Sequence, residues 1–286
     1  MPAVYWIEAD NISGTSWKAK QVGDLPRTGH FNGQGYAKAN ISGDEQEEIL
    51  LAVHGGIYAV ELPMNPETED WTWHKIAETD SDEGFALADF DGDGDNDLVC
   101  GDKGTKPTEN GKSFHYTEVK LFTNPGSLDK SWSSTKVGEV IFSVDRVSAG
   151  DIDGDGKPDI AISEERYPGK EPDSHLFWFK NTGAENWERN LVVTQYSMNN
   201  LDLADMDADG DLDIVTNEHK GPNLSTQIWM NNGKGVFKKQ HVFSGAEMHL
   251  GAKAVDIDAD GDLDIIGQAW DNFKYLHVFV NSSKKK

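Results

Sequence analysis

Short apolar runs separated by polar turn segments recur along the whole chain. No long segment places apolar residues at i, i+3, i+4 and i+7. The pattern therefore predicts strands, not helices. Four strand types repeat in a fixed order. Type A is a run of small and apolar residues such as Phe85-Ala86-Leu87-Ala88. Type B is a β-prone run such as Asp213-Ile214-Val215-Thr216. Type C is aromatic, as in Ile57–Val60, Val119–Phe122, Leu176–Phe179, Ile228–Met230 and Val278–Val280. Type D carries an aromatic residue with Val or Ile five positions on: Trp17/Val22, Trp71/Ile76, Trp132/Val137, Trp187/Val192 and Phe237/Val242.

Between A and B lies the spacing D-x-D-[GA]-D-G-x-x-D, at Asp89–Asp97, Asp151–Asp159, Asp205–Asp213 and Asp256–Asp264, with a degenerate copy at Asn40–Glu48. The copies start 49, 62, 54 and 51 residues apart. Four strands in each repeat of about fifty residues is the pattern of a β-propeller blade. The expected fold is all-β: a single propeller domain over residues 1–286, with repeats at about 23–76, 77–137, 138–192, 193–242 and 243–283. Five blades of four antiparallel strands are expected, with six or seven as the alternative. The strands in 4–22 are expected to close the ring, the first D strand completing the last blade.

The chain has 286 residues with 26 Lys plus Arg against 50 Asp plus Glu, a formal charge of −24. That balance argues against nucleic acid and anionic membranes as partners, because both demand a basic patch. No run of about 18 apolar residues is present, so membrane insertion by a helix is not expected. The N-terminal residues lack a basic segment followed by an apolar one, so a signal peptide is expected to be absent from this sequence. A single cysteine, Cys100, excludes an intrachain disulfide.

The acidic loops change the meaning of that charge. Carboxylates at positions 1, 3, 5 and 9, a carbonyl at position 7 and a turn glycine suit a hard cation with six or seven oxygen ligands. The candidate ligands are Asp89, Asp91, Asp93, Asp95 and Asp97; Asp151, Asp153, Asp155, Lys157 (through its carbonyl) and Asp159; Asp205, Asp207, Asp209, Asp211 and Asp213; and Asp256, Asp258, Asp260, Asp262 and Asp264. Four calcium ions are expected, with a degenerate fifth site at Asn40–Glu48. Loops of this kind usually need calcium above cytosolic levels, which favours a secreted or periplasmic setting. The loops resemble those of the FG-GAP/VCBS repeat family, a resemblance that runs along essentially the whole chain and implies a calcium-bearing propeller. Within it, Gly56–Pro63, Trp71 and Glu83-Gly84-Phe85-Ala86 look most like the propeller part of aldos-2-ulose dehydratase, without that enzyme's cupin domains.

The chemistry is expected at the other end of the blades. Strand A is about six residues long, which separates its start from the acidic loop by roughly 20 Å. Counting back from each loop and forward from each B strand brings Arg146, Asn199, Asn200, Glu218, His219, His249 and Trp270 toward one face, with Asp145, Glu83 and His54 at equivalent positions. His219, His249, Glu218 and Arg146 are the candidate catalytic groups. Asn199, Asn200, Asp145, Glu83, Trp270 and His54 are the candidate substrate contacts. Glu218, His219 and His249 are also a candidate transition-metal set. Polar anchors beside a flat aromatic suit a sugar. One equivalent inward position reads Gly35, Gly84, Arg146, Asn200 and Gly251, so the pocket is asymmetric where a lectin would repeat its site blade by blade. Two positions on, strand alternation puts Asp202 and Lys253 at the same level on adjacent blades, where they are expected to pair. The expectation is a carbohydrate-acting lyase or dehydratase, monomeric, with His219 or His249 as base. A lectin-like module or a protein-interaction scaffold are the alternatives.

Overall fold

The computed structural model describes residues 3–24, 35–44, 46–53, 55–79, 84–107, 113–166, 169–184, 186–249, 251–270 and 275–283. Among them there are only strands and turns. The strands are β1 (Ala3–Ala9), β2 (Trp17–Asp24), β3 (Tyr36–Ala39), β4 (Glu48–Val53), β5 (Gly56–Glu61), β6 (Thr72–Ala77), β7 (Phe85–Ala88), β8 (Asp97–Pro107), β9 (Ser113–Thr123), β10 (Ser133–Val140), β11 (Ser143–Gly150), β12 (Asp159–Glu165), β13 (Ser174–Gly183), β14 (Asn186–Gln195), β15 (Met198–Ala204), β16 (Asp213–Glu218), β17 (Thr226–Met230), β18 (Lys238–Phe243), β19 (Ala252–Val255), β20 (Asp264–Gln268) and β21 (Leu276–Phe279).

Four sheets contain four strands in chain order, β3 to β6, β7 to β10, β11 to β14 and β15 to β18, and a fifth contains β19 to β21. These are the five blades of a β-propeller, in the A-B-C-D order that the sequence predicts. The N-terminal strands form a hydrogen-bonded sheet of their own among the described residues. β1 pairs with β2 along its whole length, from Ala3 opposite Asp24 to Ala9 opposite Trp17. The strand containing Trp17 and Val22 therefore belongs to a two-stranded sheet, and the last blade has three strands among the described residues. The local turn explains the pairing: Asn11 Oδ1 accepts the Thr15 N–H and the Ser13 hydroxyl, folding β1 back onto β2.

The chain divides into two compact units. One comprises Met1–Gly84 and Phe122–Ser133, the other Phe85–Leu121 and Ser134–Lys286. In the first, Leu50, Ile57, Ala59 and Ile76 are buried, and Trp73 donates its indole N–H to the Val22 carbonyl. In the second, three apolar clusters fill the spaces between successive sheets. Val99, Val119, Ile160 and Phe179 belong to one, Trp178, Leu201, Ile214 and Trp229 to the next, and Val215, Met248 and Ile265 to the last. The B strands are covered on both faces. Every residue of β16 is buried, whereas β14 alternates between half-buried and exposed. A strand covered on both faces loses its alternation, which is why the B runs read as continuous β-prone segments.

Each acidic loop is the connection of an A–B hairpin. Its ninth residue is the first residue of strand B and pairs with the last residue of strand A: Asp97 with Ala88, Asp159 with Gly150, Asp213 with Ala204 and Asp264 with Val255.

Candidate functional site

The loops share one hydrogen-bond frame. The ninth carboxylate accepts the N–H of the second residue in every copy: Ile41 to Glu48, Phe90 to Asp97, Ile152 to Asp159, Met206 to Asp213 and Ile257 to Asp264, at 2.9 to 3.1 Å. The first carboxylate gathers loop N–H groups, as where Asp151 Oδ1 accepts from Gly154 and Asp155 and its Oδ2 from Gly156. The ninth residue also accepts from the end of strand C, with Asn181, Asn231 and Asn281 N–H donating to Asp159, Asp213 and Asp264. That asparagine then reaches onward. The side-chain amide of Asn181 donates to the Phe90 carbonyl and that of Asn231 to the Ile152 carbonyl, so each stitches a loop to its neighbour. Sequence reading missed this role, although Asn124-Pro-Gly126, Asn181-Thr-Gly183 and Asn231-Asn-Gly233 repeat it in plain view.

Carboxylates converge in four of the loops. Asp89, Asp91 and Asp97 bring ligand oxygens within 4.8 Å of one another, as do Asp151, Asp153 and Asp159; Asp205, Asp207 and Asp213; and Asp256, Asp258 and Asp260. Four other predicted ligands have separate contacts. Asp93, Asp155 and Asp209 each accept the N–H of the seventh residue, and Asp262 Oδ2 accepts from Ser283. Burial pushes the carboxyls of Asp159 and Asp213 up to about 6. In the loop 151–159 the Lys180 ammonium bridges Asp153 and Asp155, and it lowers the pKa of Asp155. The degenerate loop keeps the frame, with Asn40 Oδ1 accepting the Gly43 N–H, but it forms no such carboxylate cluster among the described residues.

A different cluster lies in the second unit. His249 Nδ1 is 2.8 Å from His219 Nε2 and the ring centroids are 3.7 Å apart. His219 Nδ1 lies 3.5 Å from Glu165 Oε1, is buried and makes no hydrogen bond. The three residues bring one ligand atom each within 4.8 Å. Around them, Asn199 Nδ2 is 3.3 Å from His249 Nε2, Arg146 donates to the His249 carbonyl, and the Trp270 ring stands 5.5 Å from His249. Glu247, another residue that sequence reading missed, braces the pocket: its carboxylate accepts the N–H groups of His249 and Trp270. Burial, and then the charge of His219, drive the His249 pKa down to about 3.

The structure thus brings together Arg146, Asn199, His219, His249 and Trp270. It corrects three other expectations. Glu218 is buried, and it accepts the Ser225 N–H; it braces the 219–225 turn, and Glu165 supplies the carboxylate beside the imidazoles. The sequence reading took the glutamate next to His219 in the chain, whereas Glu165 reaches it from the end of β12 in another sheet. Asn200 is fully buried and gives its amide to the Met248 carbonyl, so it holds the segment before His249. His249, expected as a base, has a conjugate acid far too strong for that task near neutral pH. Glu83 and His54 lie outside the described residues, as does the side chain of Asp145. One pairing expected from strand alternation is present: Lys253 Nζ donates to Asp202 Oδ1 at 2.8 Å.

Two repeat-family models match parts of the chain. Residues 40–100 match the FG-GAP-like repeat and residues 143–174 the FG-GAP repeat. No curated protein matches the chain. Among solved structures, the chain is similar to the Tc holotoxin pore of Photorhabdus luminescens, at 16% identity and a TM-score of 0.45, over 98% of this chain and 13% of that one. An Agrocybe aegerita lectin that recognises non-reducing terminal N-acetylglucosamine aligns at 15% identity and a TM-score of 0.39, over 93% and 86%. The Vibrio cholerae biofilm matrix protein Bap1 aligns at 12% and 0.38, over 93% and 72%. The resemblance to aldos-2-ulose dehydratase finds no support in these comparisons.

Proposed function

We propose that in this β-propeller, which carries FG-GAP repeats over residues 40–100 and 143–174, the acidic loops bind calcium as structural ions while carbohydrate chemistry occurs at Glu165, His219 and His249. The observation that carries this reading is the contact of the buried His219 imidazole with the half-buried His249 imidazole, with a carboxylate beside them. A histidine kept neutral by burial is a poor base but is in the form that binds metals. The donor set of two imidazoles and one carboxylate suits zinc or a similar divalent ion. When bound, such an ion would polarise a sugar carbonyl or carboxylate, acidifying the neighbouring C–H.

The chain's own residues do the rest. His219 and His249 share a hydrogen bond whose proton must leave for both facing nitrogens to serve as donors. Trp270 offers a flat face to sugar C–H groups, and Arg146 offers guanidinium N–H groups to hydroxyls or a carboxylate. The reaction class is elimination: a carbon-bound proton passes to a solvent water, the adjacent C–O bond breaks, and the leaving oxygen takes a proton from solvent and departs as water or an alcohol. The protein is a carbon–oxygen lyase or dehydratase in this reading, working outside the cytosol where calcium is plentiful. Binding without turnover is the second reading. One observation favours it: beside the three donors stand Arg146, Asn199 and Trp270, none of which is a base at neutral pH.

The deciding experiment incubates calcium-loaded protein, with and without zinc, with acidic polysaccharides and keto-sugars, and follows product mass. A zinc-dependent product lighter by one water, or an unsaturated oligosaccharide, that disappears in His219→Gln supports the lyase. Sugar binding without product moves the assignment to a carbohydrate-binding module. Zinc binding that survives both His219→Gln and Glu165→Gln overturns the metal assignment.

A further inference from the structure

Glu164 and Glu165 are neighbours at the end of β12, yet they serve different places. Glu165 lies beside His219, whereas Glu164 closes a separate cleft of about 300 Å³ lined by Val140, Ile141, His175, Phe177, Arg189 and Leu191. The Glu164 side chain is fully buried. Its Oε1 accepts the N–H groups of Ile141 and Phe142 at 3.0 and 3.3 Å, and its Oε2 accepts the His175 N–H at 3.1 Å. His175 Nδ1 lies 2.5 Å from the same Oε2. A carboxylate filled with N–H donors only accepts, so Nδ1 carries the proton and Nε2 is left as the working atom of the imidazole.

The opposite pole of the cleft is also fixed. The Arg189 guanidinium sits 5.1 Å from the Phe177 ring centroid and gives one N–H to the Glu139 carbonyl at 3.1 Å. A guanidinium has five N–H groups. The His175 ring stacks on Phe177 at 5.1 Å and 24°, so one aromatic ring orients both polar heads. Ile141 and Leu191, both exposed, form an apolar rim. Two polar heads held in place around a cavity is preorganisation, which spares a ligand the entropy of ordering them. The proposed elimination uses none of these groups.

We propose that this cleft binds a small hydroxycarboxylate, up to the size of one sugar-acid ring, with the carboxylate on Arg189 and a hydroxyl donating to His175 Nε2. The pairing follows from the two heads: a planar cation matches a carboxylate in two-point contact, and an imidazole lone pair accepts from a hydroxyl. If His175 is protonated, the same nitrogen donates to the carboxylate instead, so the ligand class is unchanged.

The test is titration of the full chain with D-glucuronate, observing the imidazole ¹⁵N resonances and measuring affinity by calorimetry. The expected result is a shift of His175 Nε2 with a Kd on the order of 1 mM or tighter, weakened about tenfold or more in Arg189→Gln. D-glucose, which lacks the carboxylate, should leave the resonance in place. Lactate separates the two sources of the chemistry: binding equal to glucuronate identifies any hydroxycarboxylate as ligand, and weak binding identifies a sugar acid. An unmoved His175 Nε2 at saturating glucuronate, an equal response to glucose, or an unchanged affinity in Arg189→Gln overturns the proposal. The ¹⁵N readout on the unaltered chain holds even if a variant folds poorly. The result is independent of Glu165, His219 and His249, so either site can fail without the other.

Discussion

The acidic loops and the Glu165–His219–His249 cluster are both candidate metal sites, built in opposite ways. Each loop is assembled within nine consecutive residues, on the turn of one hairpin, and recurs from blade to blade. The histidine cluster draws one donor from the end of β12, one from the residue after β16 and one from the segment before β19, and it occurs once among the described residues. A repeated site made from contiguous residues is part of what defines the fold. A unique site made from several blades is where one propeller differs from another.

The largest expected effect tests the loops. Stripping divalent ions with a chelator should lower the melting temperature by on the order of ten degrees, since one site held at 100 Kd contributes about 2.7 kcal/mol. Calcium should restore the melting temperature, and zinc alone should not. A melting curve indifferent to calcium would remove the structural half of the comparison. The converse should hold at the other site: His219→Gln should abolish zinc binding and leave the calcium response unchanged.

A pH series on metal-free protein sharpens the contrast, because the two sites titrate with opposite sign. His249 has a folded pKa of about 3 against an ordinary value near 6.5. Between those values the unfolded chain binds the extra proton. The contribution of His249 is therefore complete above pH 6.5 and is lost as pH falls toward 3. Asp159 and Asp213 run the other way. Their folded values of about 6 exceed the ordinary carboxylate value near 3.9, so the folded state takes up protons first and these two groups favour it increasingly as pH falls from above 6 toward 4. In wild type the trends offset each other. In His249→Gln the rise should emerge, measurable as a melting temperature that gains on wild type between pH 7 and 5. Parallel curves for the two proteins would mean that His249 is not held neutral by burial.

What could be read from the sequence follows the same divide. The blade order, the A–B position of the loops and the Lys253–Asp202 pair were legible because period-two alternation and a repeated spacing are one-dimensional facts. The convergence of His219 and His249 was also legible, since both lie near the same end of neighbouring blades. Glu165 was harder: Glu218 is the chain neighbour of His219, whereas Glu165 comes from the end of β12, and the strand register shifts between Val144 and Arg146, so counting cannot say which residue at that strand end turns toward His219. The Asn231 stitch to Ile152 was missed because its meaning lies in the neighbouring blade.

The smallest effect concerns how tightly the loops hold their own backbone. At the fourth loop position Gly92 and Gly154 have φ of 82° and 76°, and the equivalent Ala208 and Ala259 sit at 61° and 60°. An L-residue with a Cβ is disfavoured there by roughly 1–2 kcal/mol, and such strain persists only where the surroundings over-determine the conformation. Here the surroundings are the N–H groups of Asp209 and Gly210, both given to Asp205. Ala208→Gly should relieve the strain while enlarging the freedom of the unfolded chain, which takes back about 0.4–1 kcal/mol. The expected net gain is therefore below about 1 kcal/mol, read from urea unfolding in calcium. The strain is local to the loop, so zinc binding at His219 and His249 should not move. A loss of stability in Ala208→Gly would mean that the alanine methyl makes a contact that outweighs its strain, and that the loop frame alone does not account for how these sites keep their shape.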